Sequence, residues 1–357
     1  MAQGIPETAP RNILVPGEPT LLAYRLISVV IVNWNQRHLL RACLASLAKQ
    51  REAEFETIVV DNGSQDGSPE LAETEFGVRV IRNSRNRGFC AANNQGIAAA
   101  RGEFVALLNN DAEADPGWLA ALHQVFTRSS EVGMAAGKVV VWEDPRRIDK
   151  VGHLIYPDGQ NKGRGSGALD TGQFDREEEV LWPDGCAAMY RKTMLDQIGG
   201  FDEDFFAYGD DAELGLRARI AGWKCFYTPA AVVRHHRGST LGKDSVRRLE
   251  LIERNRLLLA LKLFPWSLLW LNPVYFAARL VAGYRAARLG EGDTAYFPGA
   301  LGKWQMAKAF IKADFGALLL APRMLRKRAG VRRLRKLSPA EVRRLILANR
   351  LSLKETT

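Results

Sequence analysis

Three apolar runs in this chain end in amide and carboxylate groups. "ISVVIVNWN" closes on Asn33, Trp34 and Asn35, "TIVVDN" on Asp61 and Asn62, and "EFVALLNND" on Asn109, Asn110 and Asp111. A carboxylate such as Asp61 can accept from a ribose hydroxyl or a base N–H. Asp111 is an oxygen ligand of the kind that binds Mg²⁺ or Mn²⁺, which in turn bridges diphosphate oxygens. Any one cluster is accounted for equally well as a strand-end cap or Asx-turn. Three of them delivered to one edge of one sheet predict a site for a nucleoside diphosphate and a divalent metal.

The elements that must position these groups follow from hydrophobic pattern. The three runs lack polar alternation, as strands buried on both faces do. Between them, "QRHLLRACLASLAKQ" places Leu39, Leu40, Cys43, Leu44 and Leu47 at helical spacing. Further helices are expected over 69–76 and 89–101 and from Asp115, with a strand at 78–81 and another in "MAAGKVVVW". Alternating strand and helix predicts an α/β domain: a Rossmann-like, mostly parallel sheet covered on both faces, with its ligand at the carboxyl ends of the strands. The Gly-, Asp- and Lys-rich stretch from about 143 to 180 reads as a lid or substrate loop outside the core. A helix on Leu214, Leu216, Ile220 and Ala221 follows. Neither GxGxxG after a strand nor GxxxxGK[ST] is present, which excludes the glycine chemistry of dinucleotide and Walker sites.

Residues 1–25 read as an irregular leader without the apolar core of a signal peptide. Cys43, Cys90, Cys186 and Cys225 are scattered without a CxxC pair, so a disulfide framework or zinc knuckle is not expected, and a reducing compartment is. The net charge of +10 is uneven. From Leu241 onward 24 Lys+Arg face 8 Asp+Glu, a balance of +16; of the totals of 50 and 40, 26 and 32 remain upstream, a balance of −6. Two regions with different partners are expected: a domain over 26–241, divided at about 142, and a helical basic tail over 242–357.

Five motifs occur in order: "VVIVNWN", "IVVDNGSQDGS", "NRGFCAANNQGIAAARGEFVALLNNDA", "GGFDEDFFAYGDDAELGLRARIAGW" and "VVRHHRGST". The series, covering residues 27 to about 240, resembles the family 2 inverting glycosyltransferases of the GT-A fold. It is most similar to the bacterial branch of rhamnosyltransferases and related enzymes of cell-wall and O-antigen synthesis, which extend lipid-linked glycans. The resemblance implies that Asp61, with Asn33 and Asn35, binds the base or ribose of a nucleotide diphosphate sugar (dTDP- or UDP-linked). It also puts Asn86, Gly88 and Phe89 in the loop beside the nucleotide. "NND" takes the place of the family's DxD-type motif, with Asn109 and Asn110 on the donor side and Asp111 as metal ligand, helped by His235 (followed by Gly238 and Ser239) or by His236. Asn109 stands where stricter members carry an aspartate, which puts the strength of metal binding in question. "YGDDAEL" matches the ED-type motif, with Asp210 replacing the usual Glu and Asp211 as the base. An inverting transfer needs such a carboxylate to take the acceptor hydroxyl's proton while a metal stabilises the leaving diphosphate. Both also suit a helix start, where the macrodipole favours anions and carboxylates cap. Asp184 and Gly185 match the acceptor-side segment, and Trp182 or Trp223 could stack on a sugar.

In the tail, "RLLLALKLFPWSLLWLNPVYFAARLVAGY" (256–284) is interrupted by Lys262, Pro265, Asn272, Pro273 and Arg279, so no run reaches the ~18–20 residues of a bilayer span. Two shorter helices in the membrane interface, with Trp266, Trp270 and Tyr275 at headgroup depth, are one expectation; ordinary core helices are the other. "RMLRKRAGVRRLRKL" suits an anionic membrane surface, and the chain carries no nucleic-acid signature. The whole predicts a peripheral enzyme at the cytoplasmic face of the inner membrane, with a polyprenyl-diphosphate-linked glycan as acceptor. A catalytically inactive, glycan-binding scaffold of the same fold is the alternative, and a nucleotidyltransferase a third that leaves Asp210–Asp211 unexplained.

Overall fold

The computed structural model describes residues 26–237, 242, 245–288 and 299–356; the leader, Gly238, Ser239 and the boundary at Leu241 lie outside the described residues. The expected alternation is present as β1 (Ile27–Asn33), α1 (Arg37–Leu47), β2 (Phe55–Asp61), α2 (Ser68–Phe76), β3 (Arg79–Arg82), α3 (Phe89–Ala99) and β4 (Phe104–Leu108). β1 pairs in parallel with β2 and with β4, and its register sets Asn33 opposite Asp61. Because successive strand residues point to opposite faces, Val30, Ile58, Val60, Val105 and Leu107 enter one buried cluster. Val29, Ile31, Val59, Ala106 and Leu108 enter another, against α1 and α2.

The chain continues through β5 (Ala112–Ala114), α4 (Trp118–Val125), β6 (Val132–Val141), β7 (Ile148–Lys150), β8 (His153–Ile155), β9 (Asn161–Gly163), β10 (Glu178–Val180) and β11 (Ala187–Arg191). Then come α5 (Lys192–Ile198), α6 (Asp210–Ile220) and β12 (Lys224–His235). Ten strands form one sheet in the order β10-β12-β6-β11-β4-β1-β2-β3, with β5 on β12 and β7 on β6. The sheet is mixed: β11 enters antiparallel between β4 and β6 and joins the parallel half formed by β1, β2, β3 and β4 to the rest. β8 and β9 form a separate hairpin.

The stretch 143–180 corrects the expectation of a lid. Ile148, Val151, Ile155 and Val180 lie in the main core, and Asp149, His153 and Asp158 are buried with them. Its strands are three residues long, too short for any period to be read from sequence. The helix expected on Leu214, Leu216 and Ile220 is α6, with Ala221 just beyond its end; it is buried nearly all round rather than on one face. Trp182 nests against it where Gly215 has no side chain: a Cβ there would come within 2.2 Å of the tryptophan's own Cβ.

The tail is helical: α7 (Val246–Leu263), α8 (Trp266–Leu269), α9 (Asn272–Arg288), α10 (Gly299–Leu334) and α11 (Pro339–Ala348). Both expectations for 256–284 describe part of it. Leu258, Leu259, Leu263, Phe264 and Leu268 share a core with Phe205, Ala212 and Leu216, whereas Trp266 and Trp270 are exposed. Tyr275, expected at headgroup depth, instead turns inward, edge-on to Tyr156 at 5.9 Å. Buried ion pairs tie this region down. Lys262 reaches Asp202 at 2.6 Å and Glu213 of α6 at 2.7 Å, and Arg279 reaches Asp158 and Glu253, each at 2.7 Å. Among the described residues no helix is long and apolar enough to cross a membrane.

Candidate functional site

At the carboxyl edge of β1, β2 and β4 the amides are wired together. Asn110 Nδ2 donates to Asn33 Oδ1 at 2.8 Å, and Asn33 Nδ2 donates to Asp61 Oδ1 at 3.1 Å. The three predicted strand ends thus form one hydrogen-bonded line, all of it buried. Asp61 also accepts from Ser64 Oγ (2.6 Å), Ser64 N (2.8 Å) and Gly63 N (3.1 Å). A carboxylate has about four acceptor positions, so these three donors and Asn33 occupy all of them. Asn35, at φ 51°, accepts from Gln65 N at 2.8 Å and shapes the same loop. Asn86 Oδ1 accepts from Gly88 N at 2.8 Å. Gly88 has φ 86°, and a Cβ there would lie 2.5 Å from the Phe206 ring, so only glycine fits. Phe89 starts α3; its ring and Asp211 Cβ stand 3.6 and 3.7 Å from where a Cβ of Gly185 would be. Phe89, Gly185 and Asp211, from three segments singled out in the sequence, therefore meet. Asn109 is partly buried, and its backbone N–H donates to Cys186 at 2.8 Å.

Of the two histidines, His235, at the end of β12, is the one whose ring lies beside Asp111. Its Nε2 is 3.4 Å from Asp111 Oδ1 and its Nδ1 is 2.8 Å from Asp149 Oδ2. His236 turns away, stacked on Trp142 at 4.2 Å and near Glu113. Burial opposes charge on His235, but Asp111 and Asp149 outweigh it and push its pKa up to about 9. An imidazole and a carboxylate side by side, with the second ring nitrogen held by another carboxylate, is the arrangement that orients metal ligands. Oxygen and imidazole donors suit Mn²⁺ and Mg²⁺. The donor set at Asp111 and His235 therefore fits a divalent cation.

Asp210 and Asp211 open α6 after a strained loop: Phe206, Tyr208 and Gly209 have φ of 65°, 68° and 71°. Asn255 of α7 holds that loop, donating from Nδ2 to the carbonyls of Phe205 (2.9 Å), Ala207 (2.8 Å) and Tyr208 (2.6 Å). His153 Nε2 lies 2.7 Å from Asp184 Oδ2 and 3.4 Å from Asp211 Oδ2, and Lys150 Nζ is 2.8 Å from Asp184. Burial opposes ionisation of Asp184, but Lys150 and His153 outweigh it and hold its pKa well below the usual range. Burial raises the pKa of Asp211, with His153 opposing and Asp184 reinforcing; burial and Asp211 raise that of Asp210 further. One carboxyl kept anionic beside one whose pKa is raised is an arrangement that can tune a general base. The Asp184–His153–Asp211 oxygens and nitrogen lie within 4.8 Å of one another, but the Lys150 ammonium already supplies the local positive charge.

These contacts join the two ends of the site. Asp111, His235, Asp149, Lys150, Asp184, His153 and Asp211 follow one another at 3.4, 2.8, 3.9, 2.8, 2.7 and 3.4 Å. Asp149, Lys150 and His153 were not singled out from sequence; charged residues set among Ile148, Val151 and Ile155 are the signal that was there. Trp182, offered as a sugar platform, is wholly buried, and Trp223 is half-buried with its Nε1 bonded to Gln197 at 2.8 Å. Both are packing residues.

Residues 28–199 match the family model described as glycosyl transferase family 2. The N-acetylglucosaminyl-diphospho-decaprenol L-rhamnosyltransferase of Mycobacterium tuberculosis is 29% identical over 255 residues, 63% of this chain and 80% of that protein. The pre-mycofactocin glycosyltransferase of the same organism is 31% identical over 241 residues, 65% of this chain and 47% of that one. Two solved structures share the GT-A fold. GalNAc-T7 with UDP, GalNAc and Mn²⁺ has TM-score 0.58 at 15% identity, covering 85% of this chain and 58% of that one. The mannosyltransferase PcManGT of Pyrobaculum calidifontis, with GDP-Man and Mn²⁺, has TM-score 0.51 at 20% identity, covering 84% and 89%. Residues 28–199 thus form a glycosyl transferase family 2 domain, with glycosyltransferase relatives and the GT-A fold in agreement.

Proposed function

We propose that the chain moves a sugar, with rhamnose the first choice, from a dTDP- or UDP-linked donor to a hydroxyl of a polyprenyl-diphosphate-linked glycan. It does so with inversion, at the cytoplasmic face of the inner membrane. The observation that carries this is the continuous line of buried and half-buried charged groups from Asp111–His235 to His153–Asp211, read as spanning a leaving-group end and a base end of one site. The decaprenol-linked acceptor and rhamnosyl activity in the name of one relative favour this acceptor class and this sugar.

In this reading Asn33, Asn35 and Asp61 hold the base and ribose, Asn86, Gly88 and Phe89 border them, and Asn109 and Asn110 orient the diphosphate. A Mg²⁺ or Mn²⁺ ion held by Asp111 and His235 would supply the charge that stabilises the leaving diphosphate. With one carboxylate fewer than a DxD pair, His235 and its partner Asp149 share that task. Asp211 accepts the proton of the acceptor hydroxyl as its oxygen bonds to the anomeric carbon. The bond from that carbon to the diphosphate oxygen breaks on the opposite side, and a nucleoside diphosphate departs. Asp184 with Gly185 lines the acceptor side, and Asp210, whose pKa is raised further by burial and by Asp211, leaves Asp211 as the more readily ionised of the pair.

The test is product analysis with dTDP-rhamnose and a panel of UDP-sugars on a short-chain polyprenyl-diphosphate N-acetylglucosamine. Release of nucleoside diphosphate matched to glycosylated lipid, abolished in Asp211→Asn, is expected. Binding of the glycan lipid without any nucleotide release would instead establish the inactive scaffold, and pyrophosphate release a nucleotidyltransferase.

A further inference from the structure

Helix α10 has two apolar faces. Ala309, Ala313, Ala317, Met324 and Val331 are buried on one side; Ala317, Met324 and Val331 share the main core with Leu258 of α7. On the side opposite by the 3.6-residue repeat, Leu301 (70% exposed), Trp304 (57%), Ile311 (66%), Phe315 (62%) and Leu318 (70%) face solvent. With Lys308 they follow a 3-4-3-4-3 spacing, a stripe of roughly 27 Å. α8 and α9 lie alongside: Phe276 meets Phe310 at 6.4 Å, and the Arg328 guanidinium covers the Trp266 ring at 4.6 Å. They expose Trp270 (79%), Val274 (65%) and Tyr284 (65%). Apolar exposure on this scale marks an interaction surface.

We infer that the outer face of α8, α9 and α10 is a monotopic docking surface for an anionic lipid bilayer, with the stripe 301–319 lying in the headgroup–acyl boundary. Charge selects this occupant. α10 carries nine Lys and Arg against one acidic residue, Asp314, and Lys308 sits inside the stripe, its ammonium 5.6 Å over the Trp304 ring. Two copies joined through the stripe would bring these like charges together, at a cost. A bilayer admits the apolar side chains while lysines reach anionic headgroups and tryptophans settle at the interface. This differs from the surface read off the sequence: α7 and Tyr275 belong to the interior, and the stripe on α10 replaces them. The inference deepens the proposal of a lipid-linked acceptor but stands on helix geometry.

Flotation of the full-length chain with vesicles of phosphatidylcholine, with and without phosphatidylglycerol, tests it in the absence of any sugar nucleotide. Its outcome is therefore independent of the transfer reaction. The chain is expected to float with the anionic vesicles, and Phe315→Glu/Leu318→Glu to weaken vesicle binding at least about tenfold. Both positions are exposed, so the variant should keep the parent's melting temperature. Three results would overturn the inference: a full-length chain left at the bottom with anionic vesicles, a folded double variant that floats as well as the parent, or light scattering of a vesicle-free dimer that the double substitution dissociates.

Discussion

Asn255→Ala is the perturbation that best separates a merely packed tail from one that holds the loop leading into Asp210 and Asp211. One Nδ2 group donates to three carbonyls, those of Phe205, Ala207 and Tyr208. It has only two hydrogens, so the three contacts amount to about two full hydrogen bonds, each worth roughly 1 kcal/mol net. The loop they restrain holds Phe206 and Tyr208 at φ 65° and 68°, a conformation costing non-glycine residues roughly 1–2 kcal/mol apiece. Without the amide the loop gains by relaxing. Local opening should therefore become easier by about 2 kcal/mol, a factor of about 30. Hydrogen–deuterium exchange over 203–212 should accelerate by about that factor, while exchange in 27–33 and 104–108 changes little. Asn255→Asp keeps the volume and removes the donor, so it should match or exceed the alanine variant. If both variants leave exchange over 203–212 unchanged, the loop is held by its own packing and the reasoning fails.

Lys262→Met removes the cation that Asp202 and Glu213 share. Lys327 and Arg217 still serve them, so the loss in urea unfolding should fall at the low end of the usual penalty for breaking a buried pair, about 3 kcal/mol; a loss under 1 kcal/mol would contradict it. Asp202, buried, has its pKa lowered to about 2 because Lys262 and Lys327 outweigh burial. Being depressed on folding, it contributes about 2 kcal/mol that is complete above its unfolded value near 4 and lost as pH falls toward 2. Acid titration of Asp202→Asn should lack that component. His153→Gln removes the positive charge that opposes protonation of Asp211, so the acid limb of turnover should move to higher pH while nucleotide affinity stays. An unchanged limb would make His153 a packing residue.

The parallel half of the sheet was legible because β1, β2 and β4 are largely apolar runs followed by amide and carboxylate residues. That signature depends on strands buried on both faces, and β1, β2 and β4 meet it. The choice of Asp111 as partner to a histidine could be read as far as the pair His235–His236; only the pairing of β12 with β5, which sets His235 opposite Ala112, turns one ring toward Asp111. Asp149, Lys150 and His153 were hidden by composition, since a glycine- and lysine-rich stretch with three-residue strands carries no period. In the tail, α7 and α10 both carry apolar stripes, and hydropathy does not distinguish a helix face buried in protein from one facing outward. The separating facts are long-range: Lys262, Arg256 and Arg279 find carboxylates contributed in part by 158, 202 and 213. Those partners also mean that 242–357 is not a detachable anchor, because ending the chain at Leu241 would strip Leu258, Leu263 and Phe264 from a shared core.

Calorimetric titration of UDP and dTDP, each with and without Mn²⁺, into the full-length protein and its Asp111→Ala and Asp211→Asn variants tests the central claim most directly. Metal-dependent binding of one of these nucleotides is expected, lost in Asp111→Ala and retained in Asp211→Asn, since the first residue is proposed to serve the diphosphate end and the second the acceptor end. Binding that needs no metal, or that survives Asp111→Ala unchanged in folded protein, would contradict it.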